Sequence, residues 1–276
     1  MSNAPTVAEV TQFIKDLERP EKLLEGCRRF HEIEPRDIAY VVCSKVIFQD
    51  PKNTAYLLSG IRLFLQVWNA VYIQKLPQEL KQSMEDEIRD AYSSCSDELA
   101  SLSQKRLEDV DLAATHVAEA IRKSFRCFAQ HKSIGDTGAS KALHMLNPTL
   151  FMMWDTKIRE AYTKLMPEEL GAQIIERSLD AEQKKKFEEL PPYVRRNFAQ
   201  KVLQDRGESY LHFLRICQAI MQALLSRITV AQLWSQHLQF MKDQEFVRAW
   251  AFSETLLKMI DECNFVRWRH GIRFDC

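Results

Sequence analysis

The stretch that decides the fold class reads TAYLLSGIRLFLQVWNAVYIQK and runs from residue 54 to residue 75. Its large apolar side chains recur every three or four positions, which is the spacing of one face of an α-helix. The residues on this face are Tyr56, Leu57, Ile61, Phe64, Leu65, Trp68, Val71 and Tyr72. The stretch therefore predicts a long central helix that packs in the core.

The N-terminal segments carry the same helical period. Thr6 and Glu9 form a capping box that begins a helix over about 7–18, and Pro20 is predicted to close that helix. The β-branched run 38–47 could be read as a strand, but no turn pair brackets it and no partner strand is visible nearby. We predict that this run is also a helix.

The C-terminal half continues in helices. A short helix is predicted over 138–146, and three longer ones over 192–205, 208–225 and 230–260, the last broken near Asp243. We predict an all-α protein of about a dozen helices in a two-lobed bundle. Its N-terminal lobe would span residues 1–132. A second part, residues 133–276, would hold the segment 133–162 and the C-terminal lobe, and the two parts could also fold as one domain.

The composition agrees with a helical protein. Seven glycines and nine prolines make 16 of 276 residues, about half the usual share of these turn formers. This scarcity disfavours an all-β fold and a glycine-rich nucleotide-binding fold. Lysine plus arginine equals aspartate plus glutamate, 38 against 38, so no overall field would hold a polyanion.

The charges are nevertheless separated along the chain. Residues 85–111 hold nine acids and three bases, a net charge of −6, whereas residues 183–206 hold seven bases and three acids, a net charge of +4. One function hypothesis follows directly. The chain could be a non-enzymatic helical interaction or scaffold module that docks a protein partner, or associates with itself, through these acidic and basic faces.

Several classes of site and location are disfavoured. The seven cysteines form no C-x-x-C pair, and no H-E-x-x-H, G-x-S-x-G or phosphate-loop motif occurs, so we predict neither a metal nor a cofactor. Scattered free thiols are typical of an intracellular protein of the cytoplasm or nucleus. The longest useful uncharged run, 228–241, falls well short of the roughly 20 apolar residues that span a membrane.

One segment stands out, SIGDTGASKALHMLNPTLFMMWDTKIREAY, residues 133–162. Gly135 and Gly138 precede a short helix, where unpaired backbone N–H groups and the helix dipole favour a phosphate-sized anion. After Asn147-Pro148 and an apolar run, Asp155-Thr156 is predicted to begin another helix. Asp155 would then be an ordinary N-cap or a functional carboxylate.

This arrangement of a glycine turn, a helix, a proline-bearing connection and Asp-Thr at a helix start resembles the helix-hairpin-helix base-excision DNA glycosylases. In that superfamily the hairpin grips a DNA phosphate, and a catalytic aspartate, commonly followed by threonine, lies a characteristic short distance further along the chain. Here Asp155 follows Gly135 and Thr137 at that distance. The likeness covers the segment 133–162.

The resemblance implies hydrolysis of an N-glycosidic bond, with a nucleic-acid base or a nucleoside as substrate and Asp155 as the catalytic carboxylate. Asp136 and Thr137 offer no lyase lysine, so a monofunctional enzyme is implied. The implied phosphate contacts are Gly135, Thr137, Gly138 and Lys141. The candidate substrate-binding residues are Trp154, Trp68, Asn69 and His144, although Trp154 and His144 also suit a packed core.

Overall fold

The computed structural model describes residues 5–50, 53–163, 189, 205–240 and 255–273. Within these residues the chain forms thirteen α-helices and a short π-helix and contains no strand, so the prediction of an all-α fold is confirmed. The helices are α1 Val7–Leu17, α2 Pro20–Ile33, α3 Asp37–Gln49, α4 Thr54–Trp68, α5 Ala70–Gln74, α6 Gln78–Ser94, α7 Ser96–Leu102, α8 Thr115–Ala129, α9 Gly135–Leu146, α10 Thr156–Tyr162, α11 Arg206–Leu225, α12 Val230–Phe240 and α13 Leu256–Asn264, followed by the π-helix Phe265–Arg269.

The N-terminal helices begin largely as their sequence indicates. Thr6 and Glu9 form the predicted capping box, and the run 38–47 is helical. Pro20, however, begins α2 instead of only closing α1. Proline suits the first turn of a helix, because the N–H group that it lacks would have no partner there.

The central stretch 54–75 is two helices, not one. It breaks at Asn69, whose backbone has φ −120° and ψ 21°, outside the helical range. The Asn69 carbonyl accepts from the amides of Tyr72 and Ile73, so α5 starts at once in a new direction. The break places Trp68 at the end of one helix and Asn69 at a corner.

Helix α9 and the connection that follows it form the centre of the molecule. Helix α9 packs against α8 and α4, and α8 packs against α11. The connection 147–155 is bonded on both sides. The Trp154 amide donates to Ser140 Oγ of α9, and Tyr210 Oη of α11 donates to the carbonyl of Met152. Asp155 is thereby held firmly where α10 begins.

The last described helix closes the structure against the N-terminal part, since α13 packs on α2. The predicted helix over 192–205 lies outside the described residues except for its last residue. The predicted break near Asp243 lies outside them too. In the described part no single helix is long and apolar enough to cross a membrane, although α11 and the start of α12, bent by 87° at their junction, meet that criterion as a pair.

Candidate functional site

A surface pocket of about 480 Å³ opens between the start of α9, the corner at Asn69 and the start of α10. Two acids, Asp136 and Asp155, and seven basic side chains are found among its described lining residues. The basic residues are Arg36, Lys75, Lys141, Lys157, Arg159, Arg206 and Arg269. We call this cavity the basic pocket. A protein with no net charge thus gathers positive charge at one place.

Asp155 lies at the floor of the basic pocket and is the N-cap of α10. Its Oδ1 atom accepts hydrogen bonds from the amides of Lys157 at 2.8 Å and Ile158 at 2.9 Å, as an N-cap should. Its Oδ2 atom lies 3.6 Å from the guanidinium of Arg269, and the residue is 8 % exposed. The predicted helix start is confirmed, and one carboxylate oxygen carries no cap bond.

The start of α9 forms one wall. Gly135 has φ +63°, a left-handed conformation that favours glycine, and a Cβ atom there would lie 3.3 Å from Tyr72 Oη. In the described structure the amides of Asp136 and Thr137 have no backbone acceptor. The Asp136 carboxylate is neutralised by Arg159 Nη1 at 2.8 Å and by an Arg206 nitrogen at 3.0 Å.

Lys141, which the resemblance implied to be a phosphate contact, lies below the protein surface. Its side chain is buried, and Nζ donates to the backbone carbonyl of Trp68 at 2.5 Å. Burial lowers the pKa of Lys141 to about 8, with Asp155 and Asp261 acting in the opposite direction. We therefore place Lys141 at the pocket floor, beside Asp155.

A narrow recess continues inward from the basic pocket. It shares Arg36, Trp68, Lys141, Asp155 and Arg269 with the pocket and adds Met153, Ile158, Asp261 and Phe265. Its volume of about 20 Å³ is room for one water molecule. The recess brings a second carboxyl group, that of Asp261, to the same site as Asp155.

Two polar groups at the recess lack partners in the part of the chain that the structure describes. Trp68 Nε1 is buried without an acceptor. Among the described residues, the Asp261 carboxyl, 4 % exposed, has no hydrogen-bond partner. Burial raises the pKa of Asp261 to about 7, and the negative charge of Asp155 contributes to this shift. We refer to Lys141, Asp155 and Asp261 as the pocket group.

A second group of buried charges, which we call the closed group, consists of His31, Asp37, Lys258 and Glu262. Lys258 Nζ lies 2.8 Å from Glu262 Oε1 and 3.6 Å from Asp37 Oδ1. Burial opposes its charge, yet Glu262, Asp37 and Asp261 outweigh burial and raise the pKa of Lys258. His31, Asp37 and Glu262 lie close enough to one another to hold a metal ion. The ammonium of Lys258 already supplies the positive charge that the two carboxylates need.

The structure distributes the predicted residues between pocket and core. Trp68, Asn69, Gly135, Thr137, Lys141 and Asp155 line the basic pocket. Gly138 does not line it, because this residue is buried and a Cβ there would meet Ile134 Cγ2 at 2.9 Å. Asn69 Nδ2 would lie 3.5 Å from the same Cβ position. Gly138 is therefore not part of the candidate site.

Trp154 and His144 also lie in the core. The Trp154 ring stacks on Phe213 with centroids 5.5 Å apart. His144 Nδ1 lies 2.7 Å from the Phe151 carbonyl, and Nε2 lies 3.0 Å from Tyr40 Oη. Burial lowers the pKa of His144 to about 4, so its ring is neutral and both nitrogens serve structural bonds. Neither residue lines the basic pocket or the recess, so neither is kept as a substrate contact.

Asp261, Arg36 and Arg269 were not predicted from the sequence. A signal for Asp261 existed, because Lys258, Asp261 and Glu262 lie in α13, a helix that is buried throughout. Buried charges are rare unless they are paired or functional. Arg269 lies in the tail sequence Arg-Trp-Arg-His, where basic and aromatic residues alternate.

The acidic segment 85–111 is largely engaged within the chain. Most of its acids have partners in the described structure, among them Glu85 with Arg62, Glu87 with Ser133, Glu98 with Lys123 and Glu108 with Arg106. Its basic counterpart, 183–206, lies outside the described residues except for Glu189, Asp205 and Arg206. Docking through charged faces therefore stays a prediction without a structural observation in its favour.

Comparisons with protein-family models, curated proteins and solved structures return no match for this chain. Its function is accordingly inferred from the geometry of the basic pocket.

Proposed function

We propose that the chain binds nucleic acid at the basic pocket and hydrolyses an N-glycosidic bond with Asp155 as the catalytic carboxylate. The observation that carries this proposal is the position of Asp155, a buried carboxylate at the floor of a pocket lined by seven basic residues. The spacing of Asp155 from the glycine turn, which resembles that of the base-excision glycosylases, agrees with it.

The basic residues that line the pocket favour the binding of a polyanion. Arg159 and Arg206 flank the start of α9, where two amides have no backbone acceptor in the described residues, and such amides bind phosphate oxygens well. Lys75 extends the positive surface along the rim, whereas Lys157 is paired with Glu160 and Arg36 with Glu34. A local cluster of positive charge can bind a phosphate backbone even when the net charge of the protein is zero.

The pocket has the size and chemistry for one extruded nucleotide. Its volume of about 480 Å³ falls within the range of pockets for small ligands, roughly 300 to 1,000 Å³. Enzymes that act on a base take it out of the stack into such a cavity. Trp68 and Asn69 are among its lining residues.

Asp155 is placed for the chemistry of the sugar. Cleavage of an N-glycosidic bond develops positive charge on the sugar ring, and a nearby carboxylate stabilises that charge or accepts a proton from the attacking water. The two cap bonds fix the orientation of the carboxylate through Oδ1. Oδ2, near Arg269, is then the oxygen that faces substrate.

The test is a base-release assay on a panel of single-stranded and duplex oligonucleotides that carry damaged, mismatched or ordinary bases. Asp155→Asn should lower release at least about 100-fold, as is typical when a transition-state charge loses its partner. Asparagine caps a helix about as well as aspartate, so the free energy of unfolding should change by less than about 1 kcal/mol.

The chain offers a matched control, because Asp205 is the N-cap of α11. It accepts from the amides of Gly207 and Glu208 and pairs with Arg126, but it does not line the basic pocket. Asp205→Asn should keep wild-type release. If the wild-type protein releases no base and binds none of the oligonucleotides, the proposed function is wrong.

A further inference from the structure

We propose that Asp261 is the proton donor to the departing base, so that the site uses two carboxyl groups with opposite tasks. This inference rests on the proposed function and deepens it by naming the class of base that leaves.

The geometry of the recess supports a role for Asp261 toward a ligand. Its carboxyl group is 4 % exposed, and the recess that it lines also contains Asp155. No hydrogen bond within the described residues holds it. Because the recess has room for one water molecule, Asp261 reaches a ligand in the basic pocket through that water.

The surroundings of Asp261 keep it protonated below neutral pH. Burial is the main cause that raises its pKa to about 7, and the carboxylates of Asp155 and Asp37 act in the same direction. The ammonium groups of Lys258 and Lys141 act against it. The other titratable or charged groups around it are Cys217 and Tyr162, whose pKa values burial raises, and Arg36 and Arg269 at the recess.

Two carboxyl groups in one site take different tasks when their surroundings differ. Here Asp155 has two amide donors and an arginine, which are partners for a negative charge. Asp261 has no such donors in the described structure. The two groups are therefore not interchangeable, and Asp261 is the one that can give up a proton.

In the proposed step the bond between the anomeric carbon and the base nitrogen breaks, and its electron pair goes to the base. The proton of Asp261 is transferred to a ring nitrogen or exocyclic oxygen of that base. Water forms the new bond to the anomeric carbon and gives a proton to Asp155. Solvent then carries one proton from Asp155 to Asp261, which restores the starting state.

This assignment defines the substrate class. An uncharged base would have to depart as an anion, which makes it a poor leaving group unless it is protonated. A base that already carries a positive charge departs as a neutral molecule and needs no acid. A site with Asp261 as donor thus suits an uncharged base that has a proton acceptor. General acid catalysis of this kind contributes typically about 100- to 10,000-fold in rate, so its loss is readily measured.

The experiment measures the pH dependence of single-turnover release of an uncharged base from an oligonucleotide. For the wild-type protein the rate should fall about tenfold per pH unit above about pH 7, the pKa of Asp261. Asp261→Asn should lower the rate at pH 6 about 100-fold and abolish this decline. Asp261→Glu, which keeps an acid, should restore part of the rate and the decline.

The outcomes separate the two proposals. If Asp261→Asn releases base at the wild-type rate with the wild-type pH profile, the role of Asp261 is wrong and that of Asp155 stands. If the wild-type protein releases no base at any pH, the proposed function fails, and the role of Asp261 fails with it. Asp261→Ser provides a second neutral variant should the asparagine variant not fold, and thermal unfolding of each variant shows which ones are native.

Discussion

The closed group and the pocket group are both sets of buried charges, and they differ in how their charges are paired. In the closed group, Lys258 contacts two carboxylates within the core and lies 4.3 Å from the centre of the Phe30 ring. In the pocket group, Lys141 donates to a backbone carbonyl, and Asp261 has no hydrogen bond in the described structure. The charges of the closed group contact one another in the core, whereas those of the pocket group line a recess that adjoins the basic pocket.

The largest expected effect tests whether the closed group is structural. Lys258→Met removes the ammonium group that lies near Asp37 and Glu262, and the loss of one partner of a buried ion pair costs about 3 to 5 kcal/mol. Chemical denaturation measures this free energy of unfolding. Lys141→Met is the matched substitution in the pocket group and should cost less, about 1 to 3 kcal/mol, the range for one buried hydrogen bond from a charged donor. Equal losses for the two variants would remove the distinction between the groups.

The next effect concerns the pH dependence of stability. The pKa of Asp261 is about 7 in the folded protein and about 3.9 when unfolded, so the folded state holds its proton more tightly. Its contribution to stability is present in full below about pH 4 and is lost as the pH rises through 7.

Asp261→Asn should therefore stabilise the protein at pH 8.5 by about 2 to 4 kcal/mol and change little at pH 4. Thermal unfolding at the two pH values measures the difference. If Asp261→Asn lowers the stability equally at the two pH values, the Asp261 carboxyl is held by hydrogen bonds and does not face the recess unpaired.

A smaller effect concerns the glycine turn. Gly135→Ala forces a side chain into a left-handed conformation and toward Tyr72 Oη, at a cost of about 1 to 2 kcal/mol in unfolding free energy. Gly271→Ala is the control, since Gly271 has φ +70° and nothing lies within 4 Å of its added Cβ.

Both alanine variants should lose stability in denaturation, but only Gly135→Ala should also weaken oligonucleotide binding. Fluorescence anisotropy with a labelled oligonucleotide measures the binding. Unchanged affinity in Gly135→Ala would mean that the start of α9 does not contact nucleic acid.

The smallest effect concerns one charge at the rim. Arg206→Ala removes a basic residue of the basic pocket and should weaken binding several-fold, with the slope of log affinity against log salt reduced by about 1. Arg126 pairs with Asp205 without lining the pocket, so Arg126→Ala should leave the slope unchanged. Equal changes would mean that binding follows general surface charge.

Much of the fold could be predicted from local sequence. The apolar period predicted α3, α4 and α11, and the capping chemistry of Thr6 and Asp155 predicted the starts of α1 and α10. The break at Asn69 was missed, because the apolar period continues through it to Tyr72. The direction of the chain after Asn69 depends on tertiary packing, which overrides helix propensity.

The candidate site was predicted only where its residues are close in the chain. Gly135, Thr137, Lys141 and Asp155 share one segment, and the structure places them at one pocket. Asp261 and Arg269 reach the same place from a distant part of the chain, and no local pattern records such a contact. His144 and Trp154 were assigned by proximity in sequence, but their side chains point to the core.

The central claim is that the Asp155 carboxylate faces the sugar of a bound nucleotide, and it can be tested without knowledge of the base. The measurement compares the affinities of the protein for two duplexes, one with a neutral tetrahydrofuran at an abasic site and one with a cationic pyrrolidine, which mimics the charged transition state. Wild-type protein and Asp205→Asn should bind the cationic duplex at least about 30-fold more tightly, and Asp155→Asn should bind the two equally. Equal binding of the two duplexes by the wild-type protein would contradict the account.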